Sequence, residues 1–264
     1  MFLVDHERDT RMVRKITTLI VATTLLLGCA TSPTGRRQLM LVSEDSAIVA
    51  SKEAYLTQMK ELEAKGVLNT DPGDVDRVDR ITGRLIAQAI VMRQDTRDWE
   101  WSVEVIDDPK MVNAWCMAGG RMAIYTGLLN QVKPTDDELA QVMGHEIAHA
   151  LANHTAERMS VAMASSAGVA LAGILSDRPV AAMPGAAAAA TLAVKLPNSR
   201  TSESEADRIG IELAAKAGYN PNAAATLWQK MAAVGGEGPP QFLSSHPAPS
   251  NRQQTLAQLA PQMM

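Results

Sequence analysis

Five consecutive residues, His145-Glu146-Ile147-Ala148-His149, have the types and spacing for one particular chemistry. Side chains four apart on a helix lie about 40° apart around its axis and one turn along it, so both imidazoles reach a single metal ion. Glu146 leaves the axis roughly 100° from His145, near enough to hold a water beside that ion without ligating it. The set suits Zn2+ as Lewis acid and Glu146 as general base in peptide hydrolysis. With five histidines in 264 residues, such a string arises by chance in well under about 1 in 100 sequences, which makes an incidental exposed pair the weaker reading.

This chemistry requires a helix, and the residues before the motif supply one. Thr135-Asp136-Asp137-Glu138 is a Thr-x-x-Glu capping box, so a helix is predicted from near Asp136 with its acids at the positive end of the macrodipole. Leu139, Val142, Met143, Ile147 and Leu151 recur at helical spacing, predicting an amphipathic element. Zinc further requires a third protein ligand and an open position. His154, nine residues and about 900° of rotation beyond His145, is expected on the opposite face, as a surface residue or a support. Ala152 and Thr155 replace the Gly and His of the metzincin pattern and exclude that class. Downstream, Ser202-Glu203-Ser204-Glu205-Ala206-Asp207 falls on a second helix, expected to start near Thr201 or Ser202. Glu203 and Asp207 are four apart and share a face, while Glu205 points elsewhere. One of the pair is expected to bind zinc and the other to orient a ligand histidine.

The elements around these helices read as alternating patterns. Gln38 to Ser43 reads as a short strand, and Ser43-Glu44-Asp45-Ser46 opens a helix to about Lys65. Asp74 to Arg93 is a second helix, with Val75, Val78, Ile81, Leu85 and Ile86 on one side. Trp99, Trp101, Val103 and Val105 alternate as in a half-buried strand, and Arg121 to Thr126 is another strand, ended by Gly127. A short helix is expected over 249–259. Cys116, in an apolar stretch, is expected to be a buried, inert thiol.

Composition excludes several classes. Charges of 25 Lys and Arg against 29 Asp and Glu, with no basic block, argue against nucleic acid as a partner. Two cysteines cannot form a disulfide scaffold. No apolar run reaches the roughly 18 residues of a spanning helix, which excludes a polytopic membrane protein. Arg14-Lys15, twelve uncharged residues from Ile16 to Leu27 and then Gly28-Cys29 describe a secretory signal. Residues 1–11 hold three acids ahead of it, which makes Met12 an alternative translation start.

Leu26-Leu27-Gly28-Cys29 resembles the lipobox of bacterial lipoproteins, which implies cleavage before Cys29 and acylation of its thiol. Ala30, in place of the Asp associated with inner-membrane retention, implies an outer-membrane lipoprotein facing the periplasm. HEIAH followed by Glu203-x-x-Ala206-Asp207 resembles the gluzincin metallopeptidase family of the Ste24-type CAAX proteases and HtpX, in its soluble periplasmic (LoiP- and BepA-like) lipoprotein branch. The likeness also covers Arg37 to Ser43, Asn113-Ala114-Trp115, Ser199-Arg200, Ala217 to Pro221 and Ser245-His246-Pro247 with Arg252. It implies a signal peptide over 1–28, a lipidated tether over 29–37 and a zinc metallopeptidase domain over 38–264.

By that resemblance His145, His149 and Glu203 are ligands of one Zn2+ per chain, Glu146 is the base, and Asp207 supports a ligand. Gly120, Arg121, Met122, Ala123, Ile124 and Tyr125 resemble the edge strand on which family members pair an extended or unfolded polypeptide substrate. An unpaired strand edge is a ready template for such a chain. His246 either plugs the open coordination site or, with Arg252 as the alternative, donates to the oxyanion of the tetrahedral intermediate. Residues 161–197, where membrane-embedded relatives carry spanning helices, are expected to form a lid or a patch resting on lipid. The fold expected is α+β: a mostly helical zincin-like domain with a small sheet whose edge strand flanks the HEIAH helix. The function expected is hydrolysis of internal peptide bonds in misfolded or misassembled cell-envelope proteins. A periplasmic chaperone or assembly factor with a latent or structural zinc site is the alternative, against which an intact Glu146 counts.

Overall fold

A computed structural model describes residues 29–175, 198–234, 240–247 and 251–263. In chain order, β1 (Cys29–Thr31) and β2 (Arg37–Leu39) pair as an antiparallel hairpin. Helix α1 (Glu44–Ala64) starts at Ser43, whose hydroxyl accepts from the Ser46 amide. Helix α2 (Pro72–Met92) starts at Asp71, with Pro72 at its first position, where a missing N–H costs nothing. Three strands follow: β3 (Ser102–Ile106), β4 (Ala114–Cys116) and β5 (Arg121–Tyr125). The rest is helical: α3 (Asp136–Leu151), α4 (His154–Leu175), α5 (Arg200–Lys216), α6 (Ala223–Ala233), α7 (Gln241–Ser245) and α8 (Arg252–Leu259). This is the expected α+β class.

Helix α3 organises the molecule. Its capping box is complete: the Thr135 hydroxyl accepts from the Glu138 amide at 3.3 Å, and the Glu138 carboxylate accepts from the Thr135 amide at 2.8 Å. The expected amphipathic face is a correction, because every residue from Glu138 to Leu151 is buried. Helix α2 packs on one side, α5 on another, and β4 and α6 cover what remains. Leu139, Val142, Met143 and Ile147 join Val78, Ile81 and Leu85 of α2 in one core. Each such side chain contributes about 1.5–3 kcal/mol by leaving water. Two glycines let α3 and α5 touch backbone to backbone. A Cβ on Gly144 would lie 2.9 Å from the Gly210 carbonyl oxygen, and one on Gly210 would lie 2.8 Å from the His145 nitrogen.

The sheet has the order β3-β5-β4. Strand β5 pairs in parallel with β3 (Ser102↔Arg121 to Ile106↔Tyr125) and antiparallel with β4 (Ala114↔Ile124 to Cys116↔Met122). The expectation that Gly120 to Tyr125 forms the substrate edge is therefore wrong. Met122, Ala123 and Ile124 are fully buried in the middle strand, whose ladder groups are taken on both sides. The edge beside α3 is Ala114–Cys116, a strand too short to show alternation in the sequence. Cys116 is buried there as a free thiol, as expected.

Residues 29–37, expected as a tether, are a hairpin seated on α4 and α5. Ser32 and Gln38 are buried, and Thr34 and Arg36 bond to Glu205. The strand expected over 38–43 shortens to Arg37–Leu39, because only that stretch has β1 to pair with. The signal peptide over 1–28 lies outside the described residues. Of the expected lid or lipid patch over 161–197, the first part continues α4 to Leu175 and residues 176–197 lie outside the described part. Among the described residues no helix is long and apolar enough to cross a membrane.

Candidate metal centre

Helix α3 carries His145 and His149 one turn apart, and α5, held against it by the two glycines, brings up Glu203. His149 Nε2 stands 3.0 Å from His145 Nε2, and the two Glu203 oxygens stand 3.3 Å from His145 Nε2 and His149 Nε2. His246, just past α7, adds its Nδ1 at 3.2 Å from His145 Nε2 and 3.0 Å from Glu203 Oε1. All four residues are buried and their ligand atoms cluster within 4.8 Å.

These atoms fit a metal ion better than they fit one another. The other nitrogen of His145 faces Asp207, which leaves its Nε2 directed at the Nε2 of His149, both aimed at the same point as Glu203. Among the described residues Glu203 Oε2 is buried with no aligned hydrogen-bond donor. Lone pairs and a carboxylate crowded in a buried place repel unless a cation sits among them. A tetrahedron of about 2.0 Å bonds has edges near 3.3 Å, which the spacings above match. A donor set of imidazoles and one carboxylate suits Zn2+.

Each motif histidine is oriented from behind. His145 Nδ1 lies 3.1 Å from Asp207 Oδ1, as expected for Asp207. Arg252 Nη2 donates to the same Asp207 oxygen at 2.5 Å, and Nη1 stands 3.1 Å from Glu203 Oε2. The Arg252 guanidinium also lies over the Trp228 ring, 3.6 Å from its centroid. The oxyanion role expected for Arg252 is corrected by this geometry: both Nη atoms are committed to carboxylates that hold the site together.

Behind His149 stands His154, its Nδ1 2.7 Å from His149 Nδ1 and its Nε2 3.1 Å from Glu205 Oε2. Of the two roles expected for His154 this is the support, and only its expected direction is corrected, since the helix does not run on through it. Helix α3 ends at Leu151, Asn153 takes a left-handed φ of 57°, and His154 opens α4 facing back into the site. Glu205 does leave the face of Glu203, as expected, but it reaches His154. The Asn153 stop was the one available signal for both.

Burial and partners fix the charge states. Burial lowers the His145 pKa, but its bonds to Asp207 and Glu203 outweigh that and raise it to about 9, so a metal ion bound there would displace the Nε2 proton. Burial drives His149 well down and His154 down as well, keeping both neutral. Burial works to raise Glu203, yet His145, His149 and His246 hold it ionised, well below the usual carboxylate range. Burial raises Glu146, whose Oε1 is 3.4 Å from His246 Nε2 and has no hydrogen-bond partner among the described residues. A base of raised pKa beside a cation-binding cluster is what proton transfer from water requires.

Residues 72–260 match Peptidase family M48. The chain is similar to the mitochondrial metalloendopeptidase OMA1 of Bos taurus, 32% identical over 246 residues (88% of this chain, 46% of that protein). It is similar to a putative beta-barrel assembly-enhancing protease of Vibrio cholerae, 30% identical over 209 residues (76% and 41%). It is also similar to the metalloprotease YcaL of Escherichia coli, 26% identical over 251 residues (89% and 96%). The chain spans less than half the length of the first two. A match over most of the chain, centred on the helices that carry His145, His149 and Glu203, shows that it belongs to peptidase family M48.

Proposed function

We propose that this chain is a zinc-dependent metalloendopeptidase of the cell envelope. The observation that carries the reading is the convergence of His145, His149 and Glu203 with Glu146 alongside. His145, His149 and Glu203 would hold zinc, whose Lewis acidity would make a water acidic enough to attack a peptide carbonyl. Glu146 takes the proton of that water and passes it to the departing amine. Asp207 and Arg252 keep His145 and Glu203 aimed.

An extended polypeptide adds to the Ala114–Cys116 edge beside α3. The residues bonded to β5 are Asn113, Trp115 and Met117, so the N–H and C=O groups of Ala114 and Cys116 point away from it. Main-chain pairing of this kind recognises unfolded segments with little regard to side chains. Misfolded or misassembled envelope proteins fit that mode. The lipobox at Cys29 and the Ste24- and HtpX-like motif support a lipoprotein of the outer membrane facing the periplasm, and the relative named for beta-barrel assembly supports the substrate class.

His246 favours a second state of the same site. Its Nδ1 joins the ligand cluster while Phe242 stacks on its ring at 4.4 Å. In that position it plugs the place a water requires, so the resting enzyme is latent until residues 240–247 swing out. A permanently latent site is the chaperone reading. Casein cleavage and bound zinc, measured on wild type, Glu146→Gln and His246→Ala, test these alternatives. Glu146→Gln is expected to keep zinc and lose cleavage by at least about 100-fold, and His246→Ala to keep zinc and cleave faster. Equal activity of wild type and Glu146→Gln contradicts the enzyme, and loss of turnover in His246→Ala contradicts the plug.

A further inference from the structure

The hairpin before α1 makes more polar contacts with the helices than a tether needs, most of them partly buried. Thr34 Oγ1 donates to Glu205 Oε1 at 2.5 Å, and Arg36 Nε donates to Glu205 Oε2 at 2.7 Å. The other two nitrogens of Arg36 fork onto Glu157 at 2.7 and 2.6 Å. Gln38 Nε2 donates to Glu157 Oε2 at 2.9 Å and to the Ala152 carbonyl at 2.7 Å, which caps the helix bearing His149. The hairpin thus grips the α3–α4 junction and the carboxylate that bonds to His154.

We propose that this hairpin is part of the metal-binding apparatus, with Arg36, Glu205 and His154 acting as positioning residues for the His149 imidazole. The direction in which each ring proton points decides whether His149 can ligate. For His149 to offer Nε2 to zinc, its Nδ1 must carry the hydrogen and find an acceptor 2.7 Å away on His154. A neutral imidazole has one donor and one acceptor nitrogen. His154 presents an acceptor at Nδ1 only while its own proton sits on Nε2, and Glu205 Oε2 at 3.1 Å keeps it there. Without Glu205 the proton of His154 is free to sit on Nδ1, where two donors would confront each other and turn the His149 ring. Glu205 is itself buried, and among the described residues Arg36 is the permanent cation that touches it. Residues some 170 positions apart in the chain are joined here, and the joint ends on a zinc ligand.

The inference rests on the zinc reading above, so the test separates the two. In the full chain, zinc affinity is measured by chelator competition, with the absorption spectrum of the Co2+-substituted protein as a readout of ligand geometry. Glu205→Gln is expected to weaken zinc about 10- to 100-fold and to shift the Co2+ bands. Arg36→Ala is expected to weaken it less, with the double variant no weaker than Glu205→Gln alone, because both act through one chain of contacts. Arg36→Lys is expected to restore only part of the loss, since an ammonium cannot hold both carboxylates in fork geometry. It also serves as the measured variant if Arg36→Ala does not fold. Lys216→Ala, which breaks an exposed pair on the same helix as Glu205, is expected to change nothing. Folded Glu205 and Arg36 variants that bind zinc within about 2-fold of wild type, with unchanged Co2+ bands, overturn the inference alone. A wild-type chain that takes up no zinc overturns the metallopeptidase reading and this inference together.

Discussion

The two histidines of the motif are held by unlike supports. His145 leans directly on Asp207, which Arg252 holds in turn, so imidazole, carboxylate and guanidinium follow one another without a break. His149 leans on a second imidazole before it reaches a carboxylate, Glu205, and a guanidinium, Arg36. The first support comes from α5 and α8, the second from α4, α5 and the N-terminal hairpin. A carboxylate behind a ligand histidine can only accept, so the tautomer of His145 is set in one step. The His149 support transmits the same instruction through a residue that can carry its proton on either side. It is the arm on which remote residues have a hold.

Gly210→Ala strikes both arms at once, because a Cβ there meets the His145 backbone and must push α5 from α3. We expect a loss of about 1–3 kcal/mol in stability with zinc binding weakened at both histidines, checked by thermal unfolding with and without zinc. Asp207→Asn strikes the direct arm only. Zinc affinity is expected to fall about 10- to 100-fold by chelator competition, and its effect should add to that of Glu205→Gln if the arms are independent. Coupling between these two variants would erase the distinction between the arms.

The smallest effect lies at the far end of α3. Burial opposes ionisation of Glu138, but Lys230, the Thr135 amide and Thr226 outweigh it and hold its carboxyl below the ordinary 4.5. In acid the unfolded chain therefore takes up this proton first. The stabilisation is present above pH 4.5 and is lost as pH falls through the folded value. Glu138→Gln should flatten that acid limb in unfolding curves and leave zinc affinity at neutral pH unchanged. A change in zinc binding would mean that the helix N-terminus, and not the two arms, governs the ligands.

The start of the direct arm, His145 and the Glu203–Asp207 pair, was legible in the sequence, whereas its Arg252 end and most of the relayed arm were not. HEIAH, its Thr135 capping box and the Glu203–Asp207 spacing lie within single helices, where a 3.6-residue repeat fixes direction. Helices α1 and α2 followed from the same periodicity, and the α+β zincin-like class from the family resemblance together with the alternating patterns. A support role for His154 was legible but its direction was not, because one left-handed residue, Asn153, reverses the chain, and Glu205 was seen to leave the Glu203 face but not where it goes, because its partners stand across the fold. The substrate edge was misplaced onto Arg121–Tyr125 since strand order depends on nonlocal pairing, and Ala114–Cys116 is too short to announce itself. Burial all round α3 was hidden for a like reason. Its polar residues Gln141, His145, Glu146 and His149 find partners or ligand duties inside, which an amphipathic pattern alone cannot reveal.

The most direct measurement is the zinc content of the purified chain and of Glu203→Ala after equilibration with limiting metal. The account predicts one zinc per wild-type chain, released by Glu203→Ala while the helical content stays the same. A wild-type protein that stays metal-free, or a Glu203→Ala protein that holds zinc as tightly as its parent, would contradict it.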